Sequence, residues 1–130
     1  MKIGTAPWIR LFDATYDGYV SSFSVEIGFE HGTVLASMGH VVDLGDLSGF
    51  LSGLAEDFTG WDDTRTWHAA YRDVQLDAVF RSLGHVDLTW TMRSAEWSDC
   101  RWSASVTVTL DAGEDMRTLA SDVRHVLHPD

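Results

Sequence analysis

Residues 73–110 decide the fold, and they read DVQLDAVFRSLGHVDLTWTMRSAEWSDCRWSASVTVTL. Apolar residues occupy every second position in three parts of this stretch: Asp73 to Arg81, Val86 to Arg93 and Trp102 to Leu110. Because successive side chains of a β-strand point to opposite faces, this alternation predicts three strands that each bury one face. The other face is predicted to stay in solvent, since serine and threonine are frequent on it.

The segment Ser82 to Gly84 determines how the first two of these strands pair. Three residues ending in glycine favour a hairpin loop with Gly84 in the left-handed conformation. The loop places three pairs of residues opposite each other: Arg81 and His85, Leu76 and Trp90, Asp73 and Arg93. Apolar side chains then meet apolar ones and an acid meets a base, which makes this register self-consistent.

An earlier hairpin follows the same pattern. Residues 22–29 alternate polar and apolar side chains, and Glu30 to Gly32 supply a turn. The returning strand, Thr33 to Val42, carries apolar residues on both faces. We therefore expect its second face to be covered, either by the segment Trp8 to Phe12 or by a partner protein. Arg65 to Tyr71 is a further candidate strand.

Two amphipathic helices are predicted from apolar residues spaced three and four apart. The first stripe consists of Leu47, Phe50, Leu51, Leu54, Ala55 and Phe58, and the second of Met116, Leu119, Ala120, Val123, Val126 and Leu127. Asp43 or Asp46 is expected to cap the first helix. Glu114 and Asp115 lie near the positive end of the second helix, where acidic side chains stabilise it.

The order of these elements predicts an α+β fold in a single domain covering residues 1–130. We expect an antiparallel sheet of about five to seven strands, with both helices packed on its apolar face. No internal repeat or linker suggests a second domain.

Net charge is the main indication of a partner. The chain has 20 acidic and 9 basic residues, which give a formal net charge of −11, spread along its length. Such a surface repels nucleic acid and anionic membranes and accelerates the encounter with a basic protein. Solubility alone also explains an acidic surface, and this simpler interpretation stays open.

Cysteine content and hydropathy indicate a cytoplasmic protein. Cys100 is the single cysteine, so no internal disulfide can form, which suits a reducing compartment. No apolar run approaches the roughly 20 residues of a membrane span. The lysine near the N-terminus is not followed by the long apolar stretch of a signal peptide.

Sequence motifs indicate no enzyme, no metal site and no cofactor. The chain has no phosphate-binding glycine loop, nucleophile elbow, zinc-ligand spacing or dinucleotide fingerprint. Asp77 and Asp87 are offset by one pair in the hairpin register, and with Arg81 and His85 they form the best acid–base group. Cross-strand charge pairing explains the same four residues without catalysis.

The tryptophans fall into two sets. Trp90 and Trp102 lie on the apolar strand face, which predicts that both belong to the core. Trp61, Trp67 and Trp97 lie in or near loops. An aromatic side chain in a loop either anchors an interface or covers an edge of the core.

A set of short motifs runs through most of the chain, from about Phe23 to Leu127. It consists of Gly60-Trp61, Thr64 to Trp67, Gly84 to Val86, Trp102 to Val108 and Ala112 to Glu114. Together these motifs resemble an uncharacterised family of small actinobacterial proteins, a domain of unknown function. The resemblance implies no activity, cofactor or catalytic residue. In size, acidity and layout the family is similar to immunity proteins of polymorphic toxin systems.

Protein binding is the leading functional hypothesis. An immunity-type protein of this composition would neutralise a basic toxin, such as a nuclease, by masking it. We expect Glu26, Asp77 and Asp87 to face the partner from the Ser/Thr-rich sheet face, because acids there raise the association rate. Trp61 or Trp97 would anchor the interface.

Two alternatives stay open. One is a small ligand-binding or enzymatic domain with a pocket between sheet and helices, in which Asp77, Asp87 and His85 supply the polar groups. The other is a homodimer or larger homo-oligomer that pairs through an uncovered strand face bearing Val34 and Met38.

Overall fold

A computed structural model describes residues 2–3, 8–16, 21–29, 32–41, 45–69, 72, 74–94, 99 and 101–127. These residues form strands and two helices in the following order. The elements are β1 (Lys2–Ile3), β2 (Trp8–Tyr16), β3 (Ser21–Phe29), β4 (Gly32–Val41), α1 (Gly45–Glu56), β5 (Arg65–His68), β6 (Val74–Arg81), β7 (His85–Arg93), β8 (Ser103–Asp111) and α2 (Glu114–Leu127).

The strands form two antiparallel sheets of four strands each, in the orders β1-β2-β3-β4 and β5-β6-β7-β8. The α+β class with antiparallel strands and two helices is confirmed, whereas the single sheet of about five to seven strands is wrong. Alternating polarity identifies a strand but not the sheet to which it belongs. The segment Trp8 to Phe12, expected as a cover for β4, instead belongs to β2 and pairs with β3.

The register predicted for the β6–β7 hairpin is confirmed. Arg81 pairs with His85 and Leu76 pairs with Trp90, while Asp73 lies outside the described residues. Gly84 has a φ of 73°, as the turn requires, and Leu83 before it also has a positive φ of 65°. The turn therefore holds a leucine in the left-handed region, which the loop length alone did not predict.

One hydrophobic core joins both sheets and both helices. From the first sheet it contains Ile9, Leu11 and Val25; from the second, Trp67, Val74, Leu76, Ala78, Val86, Leu88, Trp90, Met92, Val106 and Val108, with Ala69 just after β5. The helices add Leu47, Leu51, Leu54, Met116, Leu119, Ala120 and Val123, and Ala112 completes the set. The predicted helical stripes and the predicted apolar strand faces therefore enclose the same interior.

The polarity split of the second sheet is confirmed. Trp90 is fully buried and Val106 is 4% exposed, whereas Ser105 and Thr107 on the other face are exposed. Thr89 lies on the exposed face and is half-buried. The alternation in the sequence thus separates a buried layer from a polar surface.

Three sequence-based expectations at the ends of elements are wrong. Trp102 is 38% exposed, because it lies just before the start of β8, a strand at the margin of its sheet. Phe58 is 59% exposed, because α1 ends at Glu56 and the helical spacing no longer applies beyond it. Asp46 cannot be the N-cap, because the helix already begins at Gly45.

Other expectations concern residues or side chains that the structure does not describe. Asp43, the alternative N-cap, and the turn residues 30–31 lie outside the described residues. The side chains of Val34 and Met38, on which the homo-oligomer hypothesis rested, are also outside the description. The strand predicted from Arg65 to Tyr71 is present as β5, which ends at His68, and residues 70–71 lie outside the described residues.

The turn conformation predicts that Leu83→Asn stabilises the protein by about 1 kcal/mol, because asparagine adopts the left-handed region more easily than leucine. Leu83 is 91% exposed, so the substitution loses little apolar burial. Urea unfolding of both proteins measures the difference. Leu83→Ala is the matched control, since alanine keeps the unfavourable φ, and a gain of the same size in both variants would contradict the explanation.

Candidate functional site

The candidate site is the outward face of the second sheet, which we call the open face. It consists of Thr66, His68, Gln75, Asp77, Val79, Arg81, His85, Asp87, Thr89, Thr91, Arg93, Ser103, Ser105, Thr107, Thr109 and Asp111. These side chains share one face because they occupy alternate positions of β5–β8 in continuous registers. None of them is buried, and Val79 is the single aliphatic residue among them.

Hydroxyl groups pair across the β7–β8 ladder. The Oγ1 atoms of Thr89 and Thr107 are 2.8 Å apart, and Thr91 Oγ1 lies 3.1 Å from Ser105 Oγ. Both pairs join residues directly opposite each other in the register. Hydrogen bonds of this kind restrict the rotamers of the hydroxyl groups.

Asp87 on β7 is held by donors from both neighbouring strands. It accepts hydrogen bonds from Thr109 Oγ1 at 2.7 Å and from Arg81 Nε at 2.8 Å. The hydrogen bond from Thr109 is the largest cause that holds the pKa of Asp87 below its ordinary value of 3.8, and Arg81 adds to it. Partial burial acts in the opposite direction but is outweighed.

Asp77 has its own set of partners. It accepts hydrogen bonds from Thr66 Oγ1 at 2.6 Å and from Gln75 Nε2 at 3.0 Å. The oxygen of the Gln75 amide accepts a hydrogen bond from Arg93 Nη2 at 3.2 Å. A polar network thus crosses β5, β6 and β7.

The predicted offset between Asp77 and Asp87 is confirmed, since Asp77 pairs with Thr89 and Asp87 pairs with Val79. In the described structure, however, each carboxylate is held by separate donors, and no hydrogen bond joins the two. His85 is exposed at the end of the hairpin. The arrangement agrees with cross-strand pairing of charges and hydroxyls rather than with a shared proton.

Glu26 does not join the open face. Glu26 lies on β3 of the first sheet, where its carboxylate is 3.6 Å from Arg10. Trp97 lies outside the described residues. Of the proposed partner-contact residues that the structure describes, Asp77 and Asp87 therefore share the open face and Glu26 does not.

Trp61 covers an edge of the core. Its ring meets Phe80 edge-on at 5.3 Å, and its Nε1 donates a hydrogen bond to the carbonyl of Ala78 at 3.3 Å. The guanidinium of Arg65 lies 4.9 Å from the centre of the Trp61 ring and forms an ion pair with Asp57 at 2.6 Å. These contacts fit the interpretation of Trp61, whose ring is half-buried, as a lid over an edge of the core.

Two cavities are formed by residues that sequence reasoning did not single out as a site. A groove of about 530 Å³ lies between α1 and α2, with Phe58, Arg117 and Arg124 among its lining. A second cavity of about 590 Å³ is lined by Arg93, Ser94, Arg101, Trp102 and Ser103. Asp77, Asp87 and His85, proposed as pocket residues, line neither cavity.

Thr109 and Gln75 were also missed as partners of the two aspartates. The alternating pattern placed both residues on the polar face. To predict that Thr109 bonds Asp87, one also needs the β7–β8 register. The long connection between those strands does not determine that register.

Within the part of the chain that is described, no three His, Cys, Asp or Glu residues are placed to hold a metal ion. The described helices include none that is both long and apolar enough to cross a membrane.

Comparison with known proteins identifies the family. The model of a family of unknown function, DUF6228, matches residues 1–130, and the chain belongs to this family. The expected membership of a domain of unknown function is thereby confirmed. No curated protein and no solved structure matches the chain.

The contacts of Asp87 predict that Thr109→Val raises its pKa toward the ordinary value, because the variant removes the main hydrogen-bond donor. NMR titration of the side-chain carboxyl group measures this pKa. Thr107→Val is the matched control, since it removes a neighbouring hydroxyl that bonds Thr89 instead. Equal pKa values in the two variants would contradict the assignment.

The same pKa shift has a consequence for stability. A carboxyl whose pKa is lowered by folding stabilises the native state above its unfolded pKa, and this contribution is lost as pH falls through the folded pKa. The stability difference between the wild type and Thr109→Val is therefore expected to shrink on acidification below about pH 4. Urea unfolding at neutral pH and in this acidic range measures it, and a difference that grew on acidification would oppose the prediction.

Proposed function

We propose that this chain is a protein-binding domain of the immunity type, which neutralises a basic toxin by masking it with the open face. The observation that carries the proposal is the open face itself: a continuous polar surface across four strands that no described residue buries. Surfaces of this kind suit contact with another protein, since they offer many hydrogen-bonding groups without enclosing a small ligand.

Pre-organisation of the open face supports the proposal. Thr89, Thr107 and Asp87 are already ordered by hydrogen bonds to neighbouring side chains. Binding immobilises side chains at an entropic cost of about 0.5–1.5 kcal/mol each, and groups that are ordered in the free protein avoid much of it. A partner can therefore gain hydrogen bonds from this face at a low ordering cost.

Charge supports a basic partner. The chain carries a formal net charge of −11, and exposed acids lie on and next to the open face at the end of β8. These are Asp111, Glu114 and Asp115. Because like charges repel and opposite charges attract over about 8 Å at physiological salt, a basic protein associates faster than a neutral one.

A cytoplasmic location and an actinobacterial origin are part of the same proposal. A single cysteine suits a reducing cytoplasm, where an immunity protein of a polymorphic toxin system would protect its own cell. An actinobacterial source fits the motifs of the chain. The charge of −11 favours a protein partner over nucleic acid or an anionic membrane.

Co-expression in a bacterial host tests this function. The probe is the basic protein encoded beside the gene of this chain, induced alone and together with the chain. We expect the neighbour alone to stop growth and the chain to restore it. A non-toxic neighbour, or toxicity that the chain does not relieve, would contradict the proposal.

Substitutions on the open face show whether it is the surface used. Asp77→Lys and Thr89→Lys place a long cation among the polar groups of β6 and β7, so both are expected to weaken the complex by tenfold or more, about 1.4 kcal/mol. Thr118→Lys on the exposed side of α2 is the control, and it is charge-matched to Thr89→Lys, since each adds one positive charge, whereas Asp77→Lys changes the charge by two. Affinities measured by calorimetry that fell equally in all three variants would indicate only a general charge effect.

A further inference from the structure

We propose that a second copy of this chain pairs with the free edge of β8, so that two second sheets join into one continuous antiparallel sheet. This interaction goes beyond the proposed function, because it uses the backbone edge of the sheet rather than the open face. It would place two open faces side by side on one surface.

Backbone hydrogen bonds define which groups of β8 are free. Ser94 N donates to Trp102 O at 2.9 Å, and Ala112 N donates to Gly84 O at 2.8 Å. The β7–β8 register between these bonds is continuous. Because bonded pairs alternate in an antiparallel ladder, the even-numbered residues of β8 bond to β7 and the odd-numbered ones point away from it.

The outward groups of β8 have no strand partner in the described structure. β8 is the last strand of its sheet, and although β2 comes close to it, the two form no ladder. The N–H and C=O groups of Ser103, Ser105, Thr107 and Thr109, together with the C=O of Asp111, therefore form an open edge. The N–H of Asp111 already donates to Asp115 Oδ2 at 2.9 Å.

Most edges in the described structure are blunted, whereas the β8 edge is not. The opposite edge of the same sheet is β5, only 4 residues long, with Arg65 and His68 at its ends. Irregularities interrupt the ladders of the first sheet. β8 has 9 residues in a regular ladder, without proline, lysine or a bulge, and Asp111 is its one charged residue. Such an edge is a template for pairing with another strand.

The sequence of β8 is complementary to itself in one antiparallel register. A two-fold axis at Thr107 pairs the whole strand and sets Ser105 of one copy opposite Thr109 of the other. At the ends, Ser103 of one copy lies opposite Asp111 of the other. Hydroxyls meet hydroxyls, and no two acids are directly opposed, so about eight backbone hydrogen bonds form without a charge clash.

The opposite face of β8 fits the same register. Val106 of one copy lies opposite Val108 of the other, and Ala104 lies opposite Leu110. Ala104 and Leu110 are half-buried in the single chain, and Trp102 is 38% exposed next to them. Pairing therefore covers apolar surface that one copy leaves in solvent.

The net charge of the chain determines how pairing of two copies depends on ionic strength. Two copies of formal charge −11 repel each other, while the paired strands themselves are almost uncharged. Salt screens the long-range repulsion and leaves the backbone hydrogen bonds intact. The dimer is therefore expected to be weak at low ionic strength and stronger at high ionic strength.

Sedimentation velocity of the full chain tests the proposal, at rising protein concentration in low and high salt. The expected result is a monomer–dimer equilibrium that shifts toward dimer with both concentration and salt. A monomeric mass at millimolar concentration in high salt would overturn it.

Substitutions at the axis locate the interface. Thr107→Lys sets two ammonium groups directly opposite each other, and we expect the association constant to fall at least roughly tenfold. Thr118→Lys changes the net charge equally on α2, so it is expected to keep or strengthen the dimer. Thr107→Pro removes the N–H of residue 107, which points away from β7, so no hydrogen bond to β7 is lost. We expect this variant to weaken the pairing of the two copies as well. A dimer unchanged by both Thr107 variants would overturn the proposed edge.

Amide hydrogen exchange gives an independent readout. In the monomer, the amides of Val106 and Val108 are protected by β7, whereas those of Thr107 and Thr109 exchange quickly. Dimerisation is expected to slow Thr107 and Thr109 selectively as concentration rises. Exchange that stays fast at these two amides in the dimer would contradict pairing through β8. None of these measurements uses a partner protein, so their failure leaves the proposed function to its own test.

Discussion

Burial of one face of β6, β7 and β8 is the constraint on which the rest of the structure depends. Trp90 lies at its centre, paired with Leu76 on one side and Val106 on the other, and all three are nearly or fully inaccessible to solvent. The indole N–H of Trp90 has no hydrogen-bond partner in the described structure, so its contribution to stability comes from packing. The stripes of both helices close the same core, which fixes the sheet relative to α1 and α2.

The polar surface follows from the same constraint. A strand that turns Trp90 and Val106 inward must turn Thr89 and Thr107 outward, because its side chains alternate. The register then aligns these hydroxyls across the ladder at 2.8 Å and brings Thr109 to the carboxylate of Asp87. Fold, site and free edge are therefore linked through the odd-numbered residues of β8. Their side chains belong to the open face, and their backbone groups point away from β7.

Local patterns in the sequence predicted most of the second sheet but less of its surroundings. The loop from Ser82 to Gly84 set the β6–β7 register, because a short turn leaves little freedom in pairing. The division into two sheets was not predictable, since polarity alternates alike in any strand. Trp102 was misplaced because its pattern does not reveal that β8 is at the margin of the sheet. For the site, Asp77 and Asp87 were found, whereas Thr109 required a register set by a long connection.

The difference between the two faces of β7 tests the central claim most directly. Trp90→Ala and Thr89→Ala truncate neighbouring residues of one strand, and urea unfolding compares their free energies of unfolding. The account predicts a loss of about 3–5 kcal/mol for the tryptophan and less than about 1 kcal/mol for the threonine. Similar losses in the two variants would show that the two faces do not differ in burial, and would contradict both the fold and the open face.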